Sequence, residues 1–417
     1  MPEGWEWTRL ESIISLSSGK AIKVRQLTDE GDYPVYGGNG INGMYSDYNV
    51  EPETIVIGRV GFYCGSVYKT MSKSWVTDNA LIATIKTPNI FDIDFLLSIL
   101  TYLNLGKTSV STAQPVVSGK GILPLIVPIP PKNEQNRILN QMKKITPELD
   151  VIKKDKEEMI SLIAKAKSKI LDLAIRGKLV LQDPNDEPAS VLLERIRAEK
   201  EELIKQGKIK RDKKESLIFR GDDNSYYRQT GNLIEPISDW ELDDIPDSWA
   251  LCCLGELCDY GNCNNVEADS ITNNAWILDL EDIEKDTGRV IKKIRKTERD
   301  FTSTKHSFHE GQVLYSKLRP YLNKVIIADE DGFCTSEILP LDFSKVVLPQ
   351  YALYYLMSPT FLKYANRCSY GVKMPRLGTA DGKKAIFPLP PLEEQYRISD
   401  CISKIFMQID TISASIL

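Results

Sequence analysis

The longest regular pattern in the chain is a 4-3 alternation of apolar positions. It begins at Ile138 and continues through Met142, Ile145, Leu149, Ile152, Lys156, Met159, Ile163, Ala166, Ile170 and Leu173. Only Lys156 breaks it, and a stripe sustained over about five heptads is the seam of a coiled coil. The spacing predicts a helix over 133–176 that stops at Gly177, about 65 Å long at ~1.5 Å per residue. Pro147 interrupts the stripe and is expected to kink the helix, or to restart it with Thr146 as cap. The rhythm returns at the end of the chain as Ile398, Ile402, Ile405, Ile409, Ile412 and Ile416. Two seams in one chain can pack on each other, most simply antiparallel, which would relate the regions preceding them by an approximate two-fold axis.

Those preceding regions alternate short strands and helices. Thr54–Ile57 and Ala80–Ile85 read as strands and Phe91–Leu105 as a helix. Gln312–Tyr315, Lys324–Ala328 and Glu337–Leu341 read as strands, followed by a helix over Tyr351–Met357. Each region closes on one motif. Pro128-Ile129-Pro130-Pro131-Lys132-Asn133-Glu134-Gln135-Asn136-Arg137-Ile138 returns 260 residues later as Pro388-Leu389-Pro390-Pro391-Leu392-Glu393-Glu394-Gln395-Tyr396-Arg397-Ile398. Consecutive prolines end a strand, and an acid in the next turn opens a helix. The openings match more weakly: Pro2-Glu3-Gly4-Trp5 and Leu10 against Pro246-Asp247-Ser248-Trp249 and Leu254. The chain is therefore an internal duplication, sought first because it sets the whole architecture. The expected division is 1–131, a first globular copy; 132–245, a helical region and linker; 246–391, a second copy; and 392–417, a terminal helix. Within the linker, Pro188–Gln206 reads as a helix, Lys208–Lys214 as a solvated basic run and Gly221–Tyr227 as irregular connection.

Composition changes this picture little. The 417 residues are 42% apolar and 27% charged, which is ordinary for a globular protein of two or three domains. No stretch approaches a membrane span, the N-terminus lacks a signal peptide, and eight cysteines form no disulfide framework. The cytoplasm is the expected location. Net charge is −5, distributed as −1 over 1–140, +3 over 141–235 and −7 over 236–417. Nucleic-acid binding would have to come from local patches.

Self-contained chemistry is not visible. Gly38-Asn39-Gly40-Ile41-Asn42-Gly43 satisfies G-x-G-x-x-G but opens no helix, so it reads as a flexible glycine-rich loop and not a dinucleotide site. His306 and His309 lack a metal-binding frame, and the spacing of Cys252, Cys253, Cys258 and Cys263 fits no usual zinc pattern. No metal ligands are assigned and no catalytic residue is expected.

The whole frame resembles the DNA-specificity subunit of type I restriction–modification systems. The resemblance is carried by Trp5 and Trp249, by the two proline-rich closing motifs, and by the run Ala174–Val180 with Gln182–Ala189. It implies an α+β fold with two α/β target recognition domains joined by long helices in an antiparallel coiled coil. Each domain would read one half of a bipartite, asymmetric site in double-stranded DNA, with the helices setting the spacer and docking methyltransferase subunits. Methyl transfer and cleavage would fall to those subunits and to restriction/translocase subunits. S-adenosylmethionine, ATP and Mg would be held there and no cofactor by this chain, which would be non-catalytic. One departure is that the second helical region ends at Leu417 without repeating Ala174–Val180, which bears on the length of the paired coil. The expected DNA contacts in the first copy are Lys20, Lys23, Arg25, Asn39, Asn42, Arg59, Lys69, Lys73, Lys107, Ser109, Ser111, Thr112 and Gln114. In the second they are Lys292, Lys293, Arg295, Lys317, Arg319, Lys324, Arg367, Lys373 and Arg376. Arg, Asn and Gln suit base edges, whereas Lys, Ser and Thr suit phosphates. Two competing readings are a coiled-coil scaffold with duplicated protein-binding domains, and the recognition subunit of another multisubunit restriction enzyme.

Overall fold

The structure, a computed structural model, describes residues 2–28, 30–109, 115–208, 216–223, 225–237, 245–343 and 347–416. It falls into two compact units, Met1–Asp155 and Lys156–Leu417, with the boundary inside the long helix.

In the first unit the strand Glu6–Arg9 pairs antiparallel with Ile126–Ile129, so the opening and the proline-rich closure of the repeat lie side by side. Between them an antiparallel sheet runs in the order Ile14–Ser18, Ala80–Ile85, Ile55–Gly58, Val67–Lys69. A smaller mixed sheet sets Tyr33–Gly37 between Gly40–Tyr45 and Trp75–Val76. The helix Ile93–Tyr102 starts where the Asp92 carboxylate accepts from the amides of Asp94 and Phe95, an N-cap. Its Phe95, Leu96 and Leu100 are buried with Leu10, Ile14, Ile55, Ile57 and Val127.

The second unit repeats this frame. Ala250–Cys253 pairs with Ile386–Leu389. Val313–Ser316 is flanked by Val325–Ile327 and Ile338–Leu341. Pairings in the two copies superimpose by number: Ile55↔Lys69 and Ile55↔Ala83 become Val313↔Ile327 and Val313↔Leu341, each shifted by 258 residues. The parallel pairing of Tyr36 with Val76 likewise recurs as Leu278 with Cys334. The helices Pro349–Met357 and Pro359–Cys368 contribute Tyr351, Tyr355 and Phe361 to the core.

The closing motif has a structural purpose. Gln135 is fully buried; its Nε2 donates to the carbonyls of Pro130 (3.0 Å) and Ile90 (2.9 Å), and its Oε1 accepts from Asp92 N (2.9 Å). Gln395 repeats this with Pro390 O (3.1 Å) and Leu348 N (2.8 Å). In both copies the motif's glutamine pins the first turn of the following helix to the start of the domain helix.

The long helix spans Lys132–Ile175 and continues through Pro147, so no restart at Thr146 occurs. The linker helix spans Ala189–Lys205 and the C-terminal helix Leu392–Ile416. Within the second unit Lys167 pairs with Asp410 and stands 5.1 Å from the Phe406 ring, while Gln182 meets Glu394 (2.6 Å) and Arg397 pairs with Asp186. From Lys167–Asp410 to Gln182–Glu394, rising numbers on one segment meet falling numbers on the other, so the packing is antiparallel. Burial along the two seams is uneven. Ile398 and Ile402 are fully buried, Ile163, Ile170 and Leu173 are partly buried, and Ile405 and Ile409 are half-buried. Ile138 packs against the core of the first unit. Met142, Ile145, Leu149, Ile152, Met159 and Ile412 are exposed.

A correction concerns the linker. Of residues 221–227, Tyr226 and Tyr227 leave the expected connection and open a strand. Ser216–Arg220, Tyr226–Thr230 and Leu233–Pro236 form an antiparallel meander, with Ile218 buried against Leu251, Cys253 and Ile386. The basic run 208–214 lies, apart from Lys208, outside the described residues.

Candidate nucleic-acid interface

The matched ladders end in a matched edge. In the first copy the strand Ile55–Gly58 runs into Arg59, whose amide donates to Asn79 O (2.9 Å) and whose carbonyl accepts from Val117 N (2.9 Å). Gly61 N then donates to Pro115 O (3.0 Å). In the second copy Lys317 N donates to Glu337 O (3.0 Å), Leu377 N to Lys317 O (3.0 Å) and Arg319 N to Pro375 O (2.7 Å). Arg59 thus corresponds to Lys317, Asn79 to Glu337 and Gly61 to Arg319. The last pair shares a left-handed backbone, with φ of +97° at Gly61 and +49° at Arg319. That conformation costs a non-glycine residue about 1–2 kcal/mol, and it is held by the bond to Pro375.

The first edge is built by close backbone approach. A Cβ on Gly38 would come within 2.5 Å of Val60 O, and one on Gly58 would strike Gly38 O. Gly38–Gly43 is therefore not a flexible loop: Gly38 and Asn39 form the turn of the hairpin Tyr33–Gly37/Gly40–Tyr45, packed on the central strand. This brings together Asn39, Arg59 and, through Gly19 N on Ala80 O, Lys20. Arg59 reaches Ser18 Oγ at 3.4 Å, Asn42 lies against Gly37, and Lys20, Asn39 and Asn42 are exposed. Lys107 is exposed, next to Gly106, whose backbone abuts Gly65. Ser109 Oγ accepts from Val116 N (3.0 Å). Lys23 and Arg25 are exposed around the single turn Val24–Gln26. Ser111, Thr112 and Gln114 lie outside the described residues.

The other expected cations have protein partners. Lys69 pairs with Asp94 and with Glu53 (3.6 Å), and its hydrogen bond to Asp94 raises its pKa. Lys73 donates to Tyr48 Oη (2.9 Å) and lies over that ring. Lys292 pairs with Glu298 (3.3 Å), Lys293 with Asp329 (2.7 Å) and Arg295 with Glu330 (2.9 Å). Lys324 turns inward to Leu280 O (2.6 Å), where burial lowers its pKa. Arg376 forks onto Glu337, with bonds of 2.7–3.1 Å that hold its pKa up. Lys317 and Arg319 are half-buried at the edge, while Arg367 and Lys373 are exposed. Residue spacing does not reveal the exposed aromatics of this edge, Phe62, Tyr63 and Tyr321. Laying the middles of the copies together at the 258-residue shift pairs Tyr63 with Tyr321.

Most of the remaining candidates for chemistry are core groups, though His309 is exposed and Cys263 only partly buried. His306 is buried, with Nδ1 2.9 Å from Ile338 O. Cys252, Cys253 and Cys258 are buried thiols pushed up by desolvation, Cys253 to about 12. Among the described residues no helix is long and apolar enough to cross a membrane.

Duplicated α/β recognition frames on long helices define a class, and sequence comparison gives its family. The profile of the family described as type I restriction modification DNA specificity domain matches twice, over residues 2–161 and 246–416. The chain belongs to that family. It is 23% identical to the type I restriction enzyme EcoDI specificity subunit of Escherichia coli, over the whole chain and 84% of that relative. To the EcoAI specificity subunit of Escherichia coli it is 32% identical, over 57% of this chain but only 38% of the relative. A solved chain described under the structural basis of complex assembly and conformational transition of the type I R-M system matches with a TM-score of 0.57. It shares 15% identity over 100% of this chain and 93% of that one, a likeness of fold. The specificity-subunit reading is the supported one, and the stand-alone scaffold is not.

Proposed function

We propose that the two recognition copies each read one half of a bipartite, asymmetric double-stranded DNA site, using the edge where the central strand meets the segment before the proline-rich closure. The observation that carries this is the pair of matched edges. The backbone ladders agree position by position, while Arg59, Asn79 and Gly61 in one correspond to Lys317, Glu337 and Arg319 in the other. One scaffold holding two side-chain sets suits two different half-sites, since base edges are distinguished by donor and acceptor pattern.

On this reading the chain carries no chemistry. Methyltransferase subunits dock on it and transfer the methyl group from S-adenosylmethionine, while restriction/translocase subunits use ATP and Mg. The complex works in the cytoplasm. A net charge of −5 fits a subunit whose partners complete the basic clamp. The test is a genome-wide map of methylated bases with and without this gene. Loss of one two-part motif is expected on deletion. An unchanged map, with the cognate methyltransferase expressed, overturns the proposal.

A further inference from the structure

The segments 55–69 and 313–327 follow the same path through their ladders, yet only two of their fifteen positions carry the same residue. One is Val67/Val325, in a strand of the ladder. The other is Tyr63/Tyr321, which has no place in either core: the two residues are 51% and 49% exposed. Phe62, beside Tyr63, is 89% exposed, and the two rings meet edge to face at 5.1 Å. Burying a phenyl ring is worth about 1.5–3 kcal/mol, and this unit leaves that gain untaken.

The rings sit on braced turns. Around Tyr63, Cys64 N donates to Gly61 O (3.0 Å), Gly65 N to Gly58 O (2.7 Å) and Ser66 N to Tyr63 O (3.1 Å). Tyr321 lies in the turn Pro320–Leu322, between two left-handed residues, Arg319 and Asn323, and is closed by Leu322 N on Arg319 O and Asn323 N on Pro320 O (both 2.8 Å). The strain at Arg319 and Asn323 falls where a side chain must be presented in one orientation. Cations flank both: Arg59 and Lys107 in the first copy, Lys317 and Arg319 in the second, with Lys373 on the strap joined to Arg319 through Pro375.

Resting on the reading above, we propose that Tyr63, supported by Phe62, and Tyr321 are the stacking residues of the two copies. Each ring packs against an unstacked base step of its own half-site while the neighbouring cations hold the phosphates. A flat ring between basic groups matches the face of a base and the charge beside it.

The test uses the full chain assembled with its cognate methyltransferase subunits and duplexes carrying 2-aminopurine in one half-site or the other. Tyr63→Ala should weaken specific binding about 5- to 150-fold and abolish the fluorescence change in one half-site only, and Tyr321→Ala in the other. Thermal unfolding should be unchanged and Tyr→Phe should restore binding. Alanine variants that bind within about twofold of the parent, or phenylalanine variants that fail to rescue, overturn the stacking assignment. If the unaltered complex does not distinguish the site from other DNA, the specificity reading itself falls, and the assignment with it.

Discussion

Replacing Gln395 tests whether the closing motif is a structural pin. Its side chain is fully buried and spans from Pro390 O to Leu348 N. Gln395→Met keeps the volume and removes the bonds to Pro390 O and Leu348 N. Each group left without a partner costs about 1–3 kcal/mol, and because the Leu348 amide is only part-buried the total is about 2–4 kcal/mol. Gln395→Glu should be at least as damaging, because a carboxylate can accept from Leu348 N but cannot donate to Pro390 O, and it buries a charge. Urea unfolding followed by tryptophan fluorescence reads the change, since Trp249 lies in the same core. With a slope of about 3 kcal/mol/M the midpoint should fall by about 0.7–1.3 M. A Gln395→Met midpoint within about 0.2 M of the parent would falsify the pin.

Glu394 accepts from Trp249 Nε1 (2.9 Å) and Gln182 Nε2 (2.6 Å), and burial raises its pKa despite those bonds. The folded state therefore holds this proton more tightly than the unfolded chain. Its contribution favours folding below the ordinary glutamate value and fades as pH rises to the raised one. Glu394→Gln should flatten that part of a melting-temperature profile, and an identical slope in the variant refutes the assignment. Replacing Arg319 should alter sequence choice in the second half-site only; full methylation of the unchanged motif by the variant shows that it does not read bases. Inserting one heptad after Ile152, in the exposed stretch of the long helix, adds about 10 Å. It should lengthen the spacer between half-sites or abolish assembly, and an active complex with an unchanged spacer excludes the helix as ruler.

Much of this protein is determined by local sequence. The duplication, the helix that stops before Gly177, the proline-rich closures, two central strands of the first copy and three of the second are all legible in the chain, whereas the strand Val67–Lys69 is not. Sequence does not determine which cations remain available. Arg376 is held by Glu337, 39 positions away, and Lys69 by Asp94, 25 away. Those partnerships follow from sheet register and from loops that bring distant residues together, which no spacing along the chain encodes. The same holds for Gly38 and Gly58, whose close approach exists only once two strands cross. It also holds for Tyr63 and Tyr321, whose equivalence appears only when both ladders are in place. The heptad stripe marks the long helix as a seam, but which of its positions are covered is decided by packing: Ile170 and Leu173 are partly buried, whereas Met142 and Ile145 are exposed.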